Sequence, residues 1–236
     1  MYEMTRTVNC SCLSSDGCIR NSAVVDFLQD CSIRHLDTHP VMSPYFEQEN
    51  CVMFLTSRQI EILRKPHYNE KIRIKTYIYE LNRIYGSRNT ITYDEQGEII
   101  VRTYAMGAFM DKISQRPKKV PKELIERVRL YPKIDMNYLP RKIFVPKCEP
   151  KRFPNVNVLK CFIDMNGHVN NARYFDIADE YLPENAQVSC MRIEYKRPLK
   201  RNDVCIPFVY EEDNIITVDL QSEDGISYCI IEYTLV

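Results

Sequence analysis

The chain has 236 residues, of which 44% are hydrophobic and 27% are charged, and this ordinary balance excludes a disordered or fibrous protein. Its 32 basic and 32 acidic side chains cancel, which excludes a generally basic nucleic-acid-binding protein and a strongly acidic one. No apolar run reaches the about 18 residues that a membrane-spanning helix needs, so we expect no membrane span.

The cysteines and the N-terminal segment bear on the cellular compartment. The ten cysteines have no spacing typical of a disulfide framework, and the N-terminal segment lacks the apolar core of a signal peptide. We therefore expect reduced thiols and a cytoplasmic protein.

The first predicted element is a helix that begins near Asn21, whose side chain suits a helix start. Apolar residues then recur at the spacing of one helix face, at Val24, Val25, Leu28 and Cys31. Beyond them, His35 and His39 have the spacing of metal ligands, but Pro40 follows and no third ligand is evident. We interpret them as a solvated helix end, and since no glycine-rich nucleotide-binding motif occurs, the sequence predicts neither a metal nor another cofactor.

Strand patterns complete the first half. Lys71–Leu81 alternates isoleucine and threonine with polar residues, which is typical of a half-buried strand. Residues 89–110 predict a hairpin that turns at Asp94–Gly97.

The segment from Lys112 to Lys160 has a different composition. It contains fourteen Lys or Arg against four acidic residues, a net charge of +10, and seven of the thirteen prolines. We expect such a stretch to take no part in a core and to form a linker with one short helix near Lys122–Arg129. Its charge has two open interpretations, a solvated linker or a docking surface for an acidic partner.

The second half repeats the plan of the first. A shift of 150 residues aligns Asp16–Leu28 with Asn166–Ala178. Three identities follow: Gly17 with Gly167, Asn21 with Asn171, and Asp26 with Asp176. Asn171, like Asn21, suits a helix start, and a helix-spaced apolar set follows it, formed by Tyr174, Phe175, Ala178, Tyr181 and Leu182. Strand patterns continue to the C-terminus, so an internal duplication is favoured.

This repeated order of one long helix and several antiparallel strands predicts an α+β fold in which a curved sheet wraps each helix. We expect residues 1–114 to form an N-terminal domain and residues 153–236 a C-terminal domain that carries the catalytic motif. Residues 115–152 are expected to form the basic, proline-rich linker between them.

The densest polar cluster of the chain runs from Asp164 to Asn171. Asp164, Asn166 and His168 alternate, so an extended backbone directs them to one side, toward the positive end of the second helix. A carboxylate, an amide and an imidazole near such amides predict an acyl-transfer or hydrolytic site. The alternative is a turn and helix cap in which Asp164 and Asn171 only bind backbone amides. The first copy has Ser14, Asp16 and Cys18 at the three alternating positions.

This cluster opens a longer motif. DMNGHVNNARYFDIADEYLP, beginning at Asp164, resembles the D-x-N-x-H-x-N-N-x-x-Y block of acyl-acyl carrier protein (acyl-ACP) thioesterases. Glu194–Asp203 resembles the strand that follows this block in the family. Residues 56–81 and 104–121 resemble the family's first-half segments, in which a strand leads into a basic, proline-bearing exit.

By this resemblance the fold is a tandem hot-dog, and the activity is hydrolysis of fatty acyl-ACP to free fatty acid and ACP, which terminates fatty acid synthesis. The implied catalytic residues are Asp164, Asn166 and His168, and the backbone amide of Gly167 or His168 would stabilise the oxyanion. The implied partner is ACP with its phosphopantetheine-linked acyl chain. We expect no nucleic-acid partner, and a monomer or a homodimer.

One departure from the family concerns the strand after the motif. Plant members have a carboxylate and then a cysteine after the Glu-Tyr-basic-basic run, whereas this chain has Pro198 and Leu199. A covalent cysteine mechanism on this strand is therefore excluded, and the nearest other candidates, Glu180 and Cys190, have no motif support. Direct attack by water is the economical mechanism, and whether the carboxylate or the imidazole removes its proton stays open.

Two further functions fit the same predicted fold. One is a hydratase or dehydratase of acyl thioesters. The other is a non-catalytic acyl-ACP-binding protein, which the missing carboxylate at Pro198 motivates.

Overall fold

The computed structural model describes every residue from 1 to 236 and contains one antiparallel sheet of eleven strands. The strands are β1 (Tyr2–Thr7), β2 (Cys51–Ile62), β3 (Lys71–Leu81), β4 (Tyr85–Tyr93), β5 (Ile99–Asp111), β6 (Lys151–Arg152), β7 (Val156–Asn157), β8 (Val188–Tyr195), β9 (Val204–Glu212), β10 (Ile215–Gln221) and β11 (Ser227–Leu235). The helices are α1 (Asn21–Asp37), α2 (Met42–Gln48), α3 (Lys122–Glu126) and α4 (Arg173–Asp179). None of these helices is both long enough and apolar enough to cross a membrane.

The sheet consists of two sets of strands that join at its middle. The first set runs β1-β3-β4-β5-β2 and the second runs β8-β11-β10-β9-β6, with β7 also paired to β9. β2 pairs with β8 from Ser57 opposite Glu194 to Glu61 opposite Cys190. The order of strands outward from this junction is the same in both sets, so the two halves are related by an approximate twofold axis.

The predicted strands of the first half are confirmed. In β3, Ile72 and Ile74 are buried on the side of the sheet that faces α1, whereas Lys71 and Arg73 are exposed. β4 and β5 form the predicted hairpin, and Gly97 at its turn has φ +88°, a left-handed conformation that favours glycine. The alternation of apolar and polar residues therefore predicts correctly which side of the strand is buried.

Two apolar clusters lie on this framework. A core of 32 buried residues lies between the sheet and the helices α1 and α4. A second cluster of eight includes Met42 of α2, Phe109 of β5 and Leu124 of α3. The larger core contains residues of both halves, so the two helices and the continuous sheet share one interior.

The helix of the second half is shorter than its apolar spacing predicts. α4 has seven residues, against seventeen in α1. Tyr181 and Leu182 lie in the turns that follow it. Pro183 explains the early end, because the residue before a proline is disfavoured in helical conformation.

Asn21 and Asn171 do not cap their helices, so this prediction was wrong; each side chain bridges to the opposite helix instead. Asn21 Nδ2 donates to Asp179 at 3.2 Å, and Asn171 Nδ2 donates to Gln29 at 3.0 Å. The two donors are 150 residues apart and so are the two acceptors, which means that one contact occurs twice. The duplication is thereby visible in the helix pair, and the α+β tandem hot-dog fold is confirmed.

The basic segment between the halves packs against the sheet, contrary to the expectation that it takes no part in a core. Its buried apolar residues are Val120, Leu124, Val128 and Ile143. It crosses the side of the sheet opposite α1, where Gln59 donates to Asn137 O at 2.6 Å and accepts from Leu139 N at 3.0 Å. Because proline lacks an N–H and disfavours strand pairing, side chains satisfy this backbone instead. The predicted short helix is confirmed as α3.

Candidate active site

The candidate motif lies in a tight loop, closed at its base by an isolated antiparallel bridge between Ile163 and Val169. Within it, Asp164 N donates to His168 O at 2.8 Å and Gly167 N donates to Asp164 O at 3.0 Å. Gly167 has φ +79°, a conformation that glycine adopts without steric cost. The expected extended backbone was therefore wrong, because the glycine turns the chain.

This loop brings the carboxylate of Asp164 to the side chain of Asn166 and to the backbone of His168. Asp164 Oδ1 accepts from the backbone N–H of Asn166 at 2.8 Å and of His168 at 3.3 Å. Asn166 Nδ2 donates to Asp164 Oδ2 at 3.4 Å, and the partly exposed His168 imidazole has no hydrogen-bond partner in the protein. The turn interpretation thus describes one oxygen of Asp164, while Asn166 and His168 keep donor atoms available to a bound molecule.

The backbone amides suggested for the oxyanion already have acceptors within the loop. Gly167 N donates to the carbonyl of Asp164, and His168 N donates to its carboxylate. Asn166 is exposed, and its amide nitrogen makes only the long contact to Asp164. Among the loop's donors, the side chain of Asn166 is therefore best placed to reach a substrate oxygen.

The start of α4 is satisfied by Asn170, a residue that sequence reasoning passed over. α4 begins at Arg173, and Asn170 Oδ1 accepts the amide of Ala172 at 2.9 Å. Two consecutive asparagines offered two possible caps, and the pattern alone does not distinguish them. The carbonyl of Asn170 also accepts from Arg173 N at 2.9 Å, so this residue holds two backbone amides at the start of α4.

Leu199 holds the loop from the other side. It is fully buried; its carbonyl accepts from Val169 N at 2.8 Å, and its N–H donates to the Tyr174 hydroxyl at 3.0 Å. Burial raises the pKa of Tyr174 well above its ordinary value, so the hydroxyl stays protonated. Leu199 thus supports the loop, and neither it nor Pro198, which stand at the positions of the family's cysteine and carboxylate, supplies a reactive group.

Neither of the other candidates adds to the site. Cys190 lies in β8 between Glu61 of β2 and Thr234 of β11. Burial raises the pKa of Cys190 to about 12, so it remains an unreactive thiol at neutral pH. Glu180 is exposed just after α4 and makes no side-chain hydrogen bond.

The first half contains the same loop without the same side chains. Ser14 N donates to Cys18 O at 2.8 Å, and Gly17 has φ +78°. Hydrogen bonds from Ser14 Oγ and from the amide of Cys18 lower the pKa of Asp16. The backbone is thus duplicated, but the combination of carboxylate, amide and imidazole occurs only in the second half.

His35 and His39 are not a solvated helix end, so this interpretation was wrong. His35 is 4% exposed, and burial lowers its pKa to about 3. His39 Nδ1 accepts from the amides of Val41 and Met42, both at 3.2 Å. The two rings meet edge to face at 5.5 Å, and no group of three metal-binding side chains occurs in the structure.

Two family models match this chain. The acyl-ACP thioesterase N-terminal domain matches residues 1–128, and the acyl-ACP thioesterase C-terminal domain matches residues 149–231. The chain belongs to the acyl-ACP thioesterase family. The candidate loop lies in the part of the chain that the C-terminal domain model matches.

Similar curated acyl-ACP thioesterases come from plants. A chloroplast acyl-ACP hydrolase of Cuphea viscosissima is 25% identical over 197 residues, which cover 77% of this chain and 48% of that protein. A chloroplast palmitoyl-acyl carrier protein thioesterase of Arabidopsis thaliana is 22% identical with the same coverage of both chains, 77% and 48%. The chain thus spans about half the length of the curated relatives it matches.

Solved structures share the fold along the whole chain. An acyl-ACP thioesterase from Bacteroides thetaiotaomicron superposes with a TM-score of 0.88 at 17% identity, covering 99% of this chain and 97% of that one. The 12:0-ACP thioesterase from Umbellularia californica gives a TM-score of 0.82 at 15% identity, covering 100% and 96%.

Proposed function

We propose that this member of the acyl-ACP thioesterase family hydrolyses fatty acyl-ACP to free fatty acid and ACP. The observation that carries the proposal is the loop that joins Asp164, Asn166 and His168 in the half matched by the C-terminal domain. The names of similar plant proteins, acyl-ACP hydrolase and palmitoyl-acyl carrier protein thioesterase, support the same substrate class.

In the proposed reaction, water attacks the thioester carbonyl directly. Two loop amides hold Asp164 through Oδ1, and Oδ2, whose one contact is the long 3.4 Å hydrogen bond from Asn166, orients the attacking water. Asn166 Nδ2 donates to the carbonyl oxygen as negative charge develops there. Asp164 or His168 takes the proton of the water, and the tetrahedral intermediate collapses with departure of the ACP thiolate, which is then protonated.

Two variants test this assignment and separate the candidate bases. Asp164→Asn keeps an oxygen that can accept from the loop amides but removes the carboxylate, and His168→Ala removes the imidazole. We expect each to lower kcat for thiol release from acyl-ACP by about 100-fold or more with an unchanged Tm. The pH profile of the residual activity identifies the base. Protonation of the base lowers the activity at low pH, and this decrease disappears in the variant that lacks the base. Unchanged turnover in both variants contradicts the assignment.

We further infer that the carrier docks on the loop between β8 and β9. Four basic residues lie there, namely Lys196, Arg197, Lys200 and Arg201. The hydrogen bond between Val169 and Leu199 joins this loop to the candidate active site. Arg197 pairs with Asp224 at 4.0 Å, whereas the other three form no ion pair. An acidic carrier is therefore offered unpaired positive charge directly beside the active site.

A comparison of two charge reversals tests the docking surface. Changing Lys196 and Lys200 to Glu is expected to raise KM for acyl-ACP about tenfold and to leave acyl-CoA hydrolysis nearly unchanged. The matched control changes Lys118, Lys119 and Lys122 to Glu. A larger effect of this control places docking on the basic segment instead, and equal effects on both substrates contradict a carrier surface at either position.

The domain division at residues 1–114, 115–152 and 153–236 is part of the same proposal. It is supported by the position of β1 to β5 before the basic segment and of β6 to β11 at or after its end. We also propose a reducing compartment such as the cytoplasm, which the ten unpaired cysteines support. Since both hot-dog units are in one chain, a monomer meets the needs of the site, and a homodimer is the alternative.

A further inference from the structure

Two arginines lie inside the first half, on the side of the sheet that faces α1. Arg58 of β2 and Arg88 of β4 both stand opposite Ala105 of the intervening β5, so the three residues form one row across the sheet. Arg58 is 4% exposed and Arg88 is 8% exposed. Only the methyl group of Ala105 separates the two guanidinium-bearing side chains within this row.

No carboxylate compensates either arginine. Arg58 donates to Val25 O at 3.4 Å and Arg88 donates to Ser32 O at 2.9 Å, both carbonyls of α1, and neither arginine forms an ion pair. Arg58 Nε and a terminal nitrogen of Arg88 are buried without a partner. Burial and the neighbouring Arg58 lower the pKa of Arg88 to about 10, which still leaves it charged at neutral pH. Uncompensated buried charge is costly, so an anion is the missing partner.

The second half has no such pair, although its strands follow the same plan. The residues of β8 and β10 that face the helices are apolar, namely Met191, Ile193, Ile216, Val218 and Leu220. The fold therefore forms without buried arginines at this level of the sheet, and their presence in the first half needs a separate reason.

The arginine row begins next to the candidate active site. Asn171, three residues after His168, contacts Gln29 in the middle of α1, and its carbonyl accepts from the Tyr195 hydroxyl at 3.1 Å. Tyr195 lies on β8 two residues after Ile193, the residue that pairs with Arg58. In the strand order outward from β8, Arg58 of β2 comes first, and Arg88 of β4 lies about 10 Å further, across two strand spacings.

A cavity lies beyond Ser32, the residue that Arg88 contacts. A cavity of about 250 Å³ lies at the C-terminal end of α1, lined in part by His35, Arg127 and Arg129. His35 is one turn after Ser32, the residue that Arg88 contacts, and its Nδ1 is buried without a partner. No aspartate or glutamate lines this cavity. The lining at this end of α1 therefore contains basic side chains and no carboxylate.

We propose that Arg58 and Arg88 are specificity-determining residues that bind a carboxylate on the acyl chain of the thioester substrate. This inference rests on the proposed function and narrows its substrate class to monothioesters of dicarboxylic acids. A carboxylate matches the planar fork of a guanidinium and supplies the missing charge, whereas a hydroxyl group supplies only an acceptor.

Binding to non-hydrolysable analogues tests the proposal directly. The probes are pantetheine amides of dicarboxylic acids in a series of chain lengths, each compared with the methyl ester of its free carboxyl group. The wild-type protein is expected to bind the acid at least about tenfold more tightly than the ester. Arg58→Met and Arg88→Met remove this preference without weakening the ester, and Arg58→Lys keeps part of it. The control Arg102→Met, on the opposite side of the sheet where Arg102 pairs with Glu61 at 2.5 Å, keeps it fully.

Equal binding of acid and ester by the wild-type protein overturns the proposal, and this comparison needs no variant to fold. Equal losses for both probes in the Met variants, together with a lower Tm, assign the arginines to stability alone. Thiol release from unsubstituted acyl-ACP without any preference for the acid overturns this inference and leaves the thioesterase proposal standing. Selective binding of the acid without thiol release supports the role of the two arginines and overturns the thioesterase proposal.

Discussion

Alanine substitutions at the two glycines of the duplicated loops distinguish the cost of backbone strain from an effect on catalysis. Gly167 and Gly17 have φ +79° and +78°, and a Cβ added at either position meets no heavy atom within 4 Å. Substitution by alanine therefore costs only the strain of a left-handed conformation, about 1–2 kcal/mol at each site. We expect Gly167→Ala and Gly17→Ala to lower Tm by the same roughly 2–8 °C, measured by calorimetry.

Activity should distinguish the two variants. Relief of the strain shifts the loop that holds Asp164, Asn166 and His168, and a displacement of about 1 Å can cost about 100-fold in rate. We expect Gly167→Ala to reduce kcat/KM for acyl-ACP by at least about tenfold, while Gly17→Ala stays within about twofold of the wild-type protein. Equal losses of activity in both variants, or full activity in Gly167→Ala, would refute the assignment of the site to the second loop.

Three further predictions concern other parts of the molecule. Burial raises the pKa of Asp179 to about 6, so ionisation destabilises the fold as the pH rises through that value. Asp179→Asn is therefore expected to raise the free energy of unfolding, measured by urea denaturation, by about 1–3 kcal/mol at pH 7.5 and by less at pH 4.5. The same difference between variant and wild-type protein at both pH values contradicts this. The control Asp176→Asn loses an ion pair with Arg173 and should not stabilise. Cys190→Ala leaves kcat unchanged, and a large loss indicates that its thiol takes part in the reaction. Gln59→Ala leaves two backbone groups of the basic segment unpaired and costs about 1–3 kcal/mol in the same denaturation assay, whereas an unchanged stability shows that the segment does not depend on it.

The fold was predictable from the sequence wherever a single spacing of apolar residues determines the local structure. In β3, the alternation of Ile72 and Ile74 with charged residues specifies which side is buried, and the turn at Gly97 needs only local chemistry. The length of α4 was missed because Tyr181 and Leu182 keep helical spacing while Pro183 ends the helix. The spacing of apolar residues shows which face of a helix is buried but not where the helix ends.

For the candidate site, the sequence predicts a set of residues but not the geometry of the loop that holds them. The motif identified Asp164, Asn166 and His168, but the loop that holds them depends on the left-handed Gly167 and on the remote Leu199. Contacts of this kind join residues far apart in the chain. The same reason hides the buried pair formed by Arg58 and Arg88, since each arginine alone has the sequence context of an ordinary strand residue.

Release of free thiol from fatty acyl-ACP is the measurement that tests the central claim most directly. The wild-type protein and the Cys18→Ala variant, altered at the equivalent position of the first loop, are expected to release thiol and free fatty acid in equal amounts at equal rates. His168→Ala should retain its Tm and lose about 99% of that rate or more. A wild-type protein that binds acyl-ACP or hydrates an enoyl thioester without releasing thiol, or a His168→Ala variant as active as Cys18→Ala, contradicts the account.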